Sequence, residues 1–353
     1  MQNPFTTTFS KIPETYISTE QEREIIENFS YERPSESVYK ITGVRGSGKT
    51  VLLAKVEEEF KSDFRKKEGW YVFRITPGRD MLSQLATYMI EEKLMPVKPL
   101  KASATVAVPS IPVGINITKS DEQYSDIGIK IEKALEAATQ KGKKILIGID
   151  EVSKTNEMVV FALEFSKWLR AGYNIYLVCT GLYENIEQLY NVKNLTFFRR
   201  ATTIKTEPLN GVKMVETYRR ELKIDLDTAK ELVRLTKGYP YAFQELGVLY
   251  FKNSKLEKLD RIISDLREEL FAYSYEKIWE EMSEGDRVFC KCLVDKEENT
   301  REDILKKLDK PANYSVYRSR LLKKGIIKSK TRTTSLALPF FAEYILDYGD
   351  FEL

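Results

Sequence analysis

Over the first two hundred residues, short apolar runs alternate with stretches whose apolar positions recur every three to four residues, the pattern of strands alternating with amphipathic helices. The spacing predicts helices at 20–29, 51–67, 80–92, 124–141, 155–171 and 182–191, the third capped by Asp80. Strands are expected at 38–41, 70–75, 145–149 and 174–179, with another near 201–206. Ile145-Leu146-Ile147-Gly148-Ile149 is almost wholly apolar, as expected of a parallel strand covered on both faces. Such alternation implies an α/β fold with an open parallel sheet and right-handed crossovers.

The pattern changes twice. From about residue 209 it is purely helical, with helices expected near 210–222, 226–237, 240–252 and 257–280. From Ser283 onward three short helices precede two short strands. These changes divide the chain into a core (1–208), a helical lid (209–280) and a C-terminal module (281–353). One segment breaks the core's rhythm. Residues 102–118 carry no charge and alternate in period two, as at Val113, Ile115 and Ile117, with Pro109 and Pro112 bracketing a turn. This reads as an inserted β-hairpin, either a docking edge or a strand pair packed on the core.

Between the strand at 38–41 and the helix that follows lie Gly43-Val44-Arg45-Gly46-Ser47-Gly48-Lys49-Thr50, which match G-x-x-x-x-G-K-[ST]. Strand–loop–helix is the setting a phosphate-binding loop requires. Glycines let consecutive N–H groups turn toward the phosphates, and the helix N-terminus that opens at Val51 adds partial positive charge. Lys49 would reach the β- and γ-phosphates of ATP, and the Thr50 hydroxyl would ligate Mg²⁺. The plainer alternative is a glycine-rich turn.

Composition narrows the chemistry. The chain has 353 residues and no histidine, which removes histidine bases, Ser-His-Asp and Cys-His nucleophiles and nearly all catalytic zinc sites. Its three cysteines form neither a metal framework nor a disulfide scaffold. With 56 basic and 53 acidic residues the net charge is only +3, so no global field points to nucleic acid. Met1 to Ser10 is polar, so no signal peptide is expected, and no apolar run approaches about 18 residues. A cytoplasmic protein with no membrane association is expected.

The strand at 145–149 ends in Asp150-Glu151. Asp150 is placed to hold Mg²⁺ and Glu151 to deprotonate the water attacking the γ-phosphate. The other reading is a helix cap with a first-turn glutamate. Thr180, at the end of the strand Ile175-Tyr176-Leu177-Val178-Cys179, either senses the γ-phosphate or begins a Thr-Gly turn. Arg199 and Arg200 precede the 201–206 strand. They are either a pair reaching a neighbouring subunit's nucleotide or a solvated pair.

GVRGSGKT, ILIGIDE, IYLVCTG and FFRRATT stand in the order and spacing of the AAA+ (ASCE) P-loop NTPases. The chain resembles prokaryotic ATPases related to origin-recognition-type replication initiators, and the neighbouring STAND signalling ATPases. The resemblance covers most of the chain and extends into Lys237-Gly238-Tyr239-Pro240. It implies that Tyr239 and Pro240 close over the nucleotide at the start of a lid helix. Two departures matter. The lid helix reads Tyr241-Ala242-Phe243-Gln244-Glu245, without the sensor arginine common in AAA+ enzymes, and STAND switches commonly use a histidine that is absent here. A slow, switch-like ATP hydrolase is therefore expected, and a P-loop kinase explains neither Asp150-Glu151 nor the lid.

The C-terminal module reads as a winged helix-turn-helix. Its helices are expected at 286–293, 301–308 and 314–324, the last ended by Gly325, with strands at 326–328 and 335–338 around a basic tip. From Lys306 to Arg332 ten Lys/Arg face one acid, Asp309. Arg318, Arg320, Lys323 and Lys324 on the presumed recognition helix, and Lys328, Lys330 and Arg332 on the wing, are the candidate contacts to double-stranded DNA. If six meet phosphates, log K falls with log salt at a slope of roughly −5. Docking of a protein partner, or of a second copy as a homo-oligomer, is the other reading.

Overall fold

The computed structural model describes residues 2–8, 11–96, 121–192, 195–253 and 258–349, with the backbone alone at 121–126. The expected hairpin at 102–118 lies outside the described residues. In chain order the first elements are α1 (Glu20–Ser30), β1 (Val38–Thr42), α2 (Lys49–Lys61), α3 (Asp63–Lys67), β2 (Trp70–Ile75), α4 (Met81–Glu91) and α5 (Asp121–Gln140). Then come β3 (Lys144–Ile149), α6 (Asn156–Arg170), β4 (Ile175–Gly181), α7 (Tyr183–Tyr190), α8 (Thr196–Arg200) and β5 (Thr202–Lys205). The helix expected at 51–67 is thus two, because Ser62 accepts from the Arg65 N–H and starts α3 afresh.

The five strands form one sheet in the order β2-β3-β4-β1-β5. β2 and β3, and β3 and β4, pair in parallel, with Arg74 beside Gly148 and Ile149 beside Cys179. The chain forms two compact units, Met1–Glu24 with Ile41–Ala54 and Ile204–Leu353, and Ile25–Lys40 with Lys55–Thr203. The phosphate loop segregates with the helical C-terminal half rather than with the acidic strand β3.

In the sheet-rich unit the period of two divides the strand residues between two faces. Ile145, Ile147, Ile149, Leu177 and Cys179 pack with Leu85 of α4, Leu135 of α5 and Phe161, Phe165 and Trp168 of α6. On the other face Trp70 and Tyr176 join Phe29, Tyr39 and Phe60 in an aromatic cluster with tilted and edge-on rings. Gly148 belongs to this second face, where a Cβ would overlap the Glu57 carboxylate. Glu57, on α2, is buried and accepts from Arg74 Nε at 3.0 and 2.9 Å. Glu57→Ala leaves the guanidinium without its partner beneath α2. Because Arg74 retains partial solvent contact, the expected loss is about 3 kcal/mol, the lower end for a broken buried pair. Denaturant unfolding followed by circular dichroism measures it.

The other unit carries α9 (Gly211–Leu222), α10 (Leu226–Thr236), α11 (Pro240–Asn253) and α12 (Leu259–Leu270), then a π-helical turn (Phe271–Tyr275) and α13 (Glu276–Glu280). The helix expected at 257–280 is therefore interrupted by a wider turn. Phe5 of the N-terminal segment packs on Tyr218 and Phe243, against Gly247, where no side chain would fit. The last elements are α14 (Glu284–Lys291), β6 (Asn299–Thr300), α15 (Arg301–Lys307), α16 (Tyr314–Lys324), β7 (Ile327–Ser329), β8 (Thr333–Leu336) and α17 (Phe341–Tyr348). β6, β8 and β7 form an antiparallel sheet in that order. α17 was not expected. No helix among the described residues is long and apolar enough to cross a membrane.

Candidate functional site

β1 ends at Thr42, and the chain turns through Gly43 and Val44 before α2 begins at Lys49. Gly46 and Gly48 take φ of 70° and 84°, left-handed values open to glycine at little cost. Ser47 N–H donates to the Val44 carbonyl at 3.2 Å, closing the loop's turn, and Leu52 N–H donates to Gly48 O at 2.9 Å. Thr50 and Val51 thus stand in the first turn of α2, where amides lack intrahelical acceptors. Lys49 Nζ lies over the loop and donates to the carbonyls of Gly43 and Val44, both at 3.0 Å. Thr206, just past β5, donates from Oγ1 to Ser47 Oγ at 2.8 Å. Gly43 lies so close to both hydroxyls that a Cβ there would displace them. The loop is braced from its own unit.

The lid's start meets the loop's outer side. Tyr239 Oη donates to the Arg45 carbonyl at 2.5 Å and stands 2.7 Å from Ser274 Oγ of the π-helical turn. Tyr241 N–H donates to Gly46 O at 3.1 Å, and Pro240 is the neighbour a Cβ on Gly48 would touch. The Arg45 guanidinium reaches Glu281, beyond α13, at 2.6 Å. The resemblance implied that Pro240 and the Tyr239 backbone close over a nucleotide. It gave no sign of the phenol's role, of Ser274 or of Glu281.

The acidic group belongs to the other unit. Asp150 and Glu151 follow β3, and α6 begins only at Asn156 with Thr155 as its cap. Glu151 is therefore not the first-turn glutamate of a capped helix. Its φ of 56° is left-handed, unusual for a residue with a Cβ and costly by about 1 kcal/mol or more. Thr180, fully buried at the end of β4, holds this conformation. Its Oγ1 donates to Asp150 Oδ1 at 2.5 Å and accepts from Glu151 N–H at 3.0 Å, while its carbonyl accepts from Val152 N–H at 2.8 Å. The hydroxyl is thus spent on orienting both carboxylate residues, and Glu151 is exposed. Cys179 next to it is inert, because burial pushes its thiol up to about 12.

Arg199 and Arg200 form the exposed last turn of α8. That helix is tied down by Lys40 of β1, a lysine with no solvent exposure. Its ammonium donates to the Phe198 carbonyl at 2.6 Å and to Tyr190 Oη at 3.1 Å, with the Tyr190 ring 4.5 Å from Nζ. A lysine in an otherwise apolar strand, Val38-Tyr39-Lys40-Ile41, was the available signal for this contact.

In the C-terminal module the basic residues divide. Arg320 Nε donates to both oxygens of buried Asp286 at 2.8 and 2.9 Å, and Lys324 Nζ donates to Asp286 Oδ2 at 3.0 Å. Lys324 is buried at this carboxylate, whereas Arg320 keeps about a third of its side chain exposed, 32%. Arg318 bridges to the hairpin through Ser329 Oγ at 2.5 Å, and Lys330 pairs with Glu298. Lys323, Lys328 and Arg332 are exposed. Lys205, whose pKa burial lowers, donates to the Leu322 carbonyl at the end of α16.

A family model described as a domain of unknown function, DUF8462, matches residues 272–345, from the π-helical turn into α17. No curated protein matches the chain. Among solved structures, the Walker-type ATPase of Pyrococcus abyssi superposes with a TM-score of 0.58 at 15% identity, over 94% of this chain and 97% of that one. The ORC2 protein of Aeropyrum pernix, as its ADPNP–ADP complexes, gives 0.58 at 11% identity, over 97% of this chain and 98% of that one. Identities this low speak to fold alone, and on that ground the chain shares the fold of these two structures.

Proposed function

We propose that the chain binds ATP and hydrolyses it slowly, and that nucleotide state governs how its C-terminal winged helix engages double-stranded DNA. The observation that carries the nucleotide reading is the loop at 43–50. Its left-handed glycines, its lysine and the helix N-terminus behind it form a phosphate cradle. Lys49 and the amides of residues 46 and 48–51 bind the phosphates, and Pro240 and the Tyr239 backbone close over the nucleotide. The hard oxygen donors Thr50 and Asp150 suit Mg²⁺, which when bound supplies charge neutralisation for phosphoryl transfer. Glu151 takes a proton from the attacking water, with Thr180 fixing its backbone. The absence of a lid arginine supports slow turnover, and Arg199 and Arg200 are exposed for any neighbouring copy.

The DNA reading rests on the module's order of helices and hairpin and on Arg318, Lys323, Lys328, Lys330 and Arg332. With Arg320 and Lys324 turned to Asp286, Lys323, Lys328, Lys330 and Arg332 are the exposed cations placed to face phosphates besides Arg318, Lys330 by exchanging Glu298 for one. The expected slope of log K against log salt is then roughly −4, instead of the −5 that six would give. Binding of a fluorescent duplex by the full chain across a salt series measures it. Removing Lys323, Lys328, Lys330 and Arg332 together should flatten the slope. Equal, salt-independent retention of wild type and variant would sink the DNA reading.

One observation favours a protein partner in its place. The exposed face of α16 presents Ser315, Val316 and Ser319, with Val316 58% exposed and Lys323 the nearest exposed cation along that helix. A face so poor in charge also suits a protein surface. In that case the flat salt response above is the expected result.

A further inference from the structure

We propose that Tyr239 is a positioning residue for phosphate binding, whose hydroxyl sets the loop's peptide planes from the outer side. The proposal rests on the nucleotide reading and deepens it. A phosphate cradle depends on where its amides point, and a trans peptide directs its carbonyl and its N–H to opposite sides. The structure contains no cis peptide among the described residues. Drawing the Arg45 carbonyl out to Tyr239 Oη therefore turns the Gly46 N–H away from the tyrosine.

The next peptide is held the same way. The Gly46 carbonyl accepts from Tyr241 N–H at 3.1 Å, which turns the Ser47 N–H back toward the Val44 carbonyl. Two consecutive planes at the loop's tip are thus gripped by the first residues of the lid. Gly46 is indispensable to the grip, because a Cβ there would overlap Tyr239 Oη. Its φ of 70° is the rotation that lets both carbonyls face outward.

Tyr239 is itself aimed. Its single hydroxyl proton goes to Arg45, so the 2.7 Å contact to Ser274 is a donation from Ser274 Oγ to Tyr239 Oη. Ser274 lies in the π-helical turn, and the wider turn there directs its side chain inward. Burial raises the phenol's pKa well above its usual value, so the donor stays protonated throughout the range in which proteins are handled. Serine, tyrosine and the loop carbonyl form one chain of hydrogen bonds, each orienting the next.

The test uses the full-length chain and titration calorimetry with two probes, Mg-ATP and Mg-tripolyphosphate, the second having no nucleoside. Tyr239→Phe keeps the ring in its core and removes only the hydroxyl. It is expected to weaken both probes alike, by about tenfold, the worth of one well-placed hydrogen bond. Ser274→Ala leaves the tyrosine in place and is expected to give the same pattern at about threefold, so the proposal does not hang on one variant folding. Lys49→Ala is the control that loses both probes.

Unchanged affinity in Tyr239→Phe, even with a lowered unfolding midpoint, would make the tyrosine merely structural and overturn the proposal. Loss of ATP affinity with intact tripolyphosphate affinity would place the tyrosine at the nucleoside end and overturn it too. A wild-type chain that binds neither probe removes the nucleotide reading and this inference together. Wild-type binding with an unaffected Tyr239→Phe removes this inference alone.

Discussion

Glu151→Gln is expected to keep ATP bound while lowering turnover by about a hundredfold to ten-thousandfold, the usual contribution of a general base. The geometry around the residue gives this prediction its sharpness. Glu151 sits in left-handed backbone with its N–H on Thr180 Oγ1, so the amide variant inherits the same anchor and the same direction. Glutamine cannot accept the water's proton, and nothing else about the site changes. Single-turnover hydrolysis at saturating ATP, with binding measured separately, divides chemistry from affinity. An unchanged rate constant would remove Glu151 from the base role. Thr180→Val is the companion variant. It keeps the shape of the side chain but releases both Asp150 and the Glu151 backbone, so turnover should fall although no proton acceptor has been lost.

The strands and their caps were legible because each follows from local rules. Trp70–Ile75 and Tyr314–Lys324 fall at the expected residues, and Asp80 caps the helix that follows it. Gly325 ends α16 with a φ of 84°, as its position suggested. α17 was missed for an equally local reason. It follows Phe340 in left-handed conformation with no side-chain cap, so neither start signal nor polar flank announces it. The π-helical turn escaped because one widened turn barely disturbs an apolar periodicity of 3.6.

Side-chain partners across the fold were the larger blind spot. The DE pair after β3 was visible, whereas the buried hydroxyl that orients it lies 30 residues away on another strand. Gly148 interrupts an apolar strand, and the sequence offers no reason for it. It is the space the Glu57 carboxylate occupies. Counting cations along residues 306–332 suffered the same fault, since a count along the chain does not reveal which charges are already spoken for. One clue was present: Arg320 and Lys324 stand four apart on a helix, where like charges repel unless an acid lies between them.

That acid is Asp286, and Asp286→Ala is expected to cost the C-terminal module about 4 kcal/mol or more. The carboxylate has no solvent exposure and accepts from Arg320 on both oxygens and from Lys324 on one. Arg320 also donates to Ser283 Oγ at 2.8 Å, the residue that caps α14 through the Asp286 N–H. Removing the carboxylate leaves two cations facing each other, one of them, Lys324, itself buried. Breaking a buried pair by deleting one partner costs about 3–5 kcal/mol, and here one deletion takes the carboxylate from two cations at once. Asp286→Asn should recover part of the loss by keeping the hydrogen-bond acceptor while forfeiting the charge. Hydrogen exchange on the full chain checks the location as well as the size. Protection should fall in α14 and α16 and persist in β3 and β4, which belong to the other unit. Unchanged protection in α16 would mean that its two cations do not need the carboxylate. Arg320 and Lys324 would then return to the set of groups available to an outside anion, and the salt slope expected of the module would steepen accordingly.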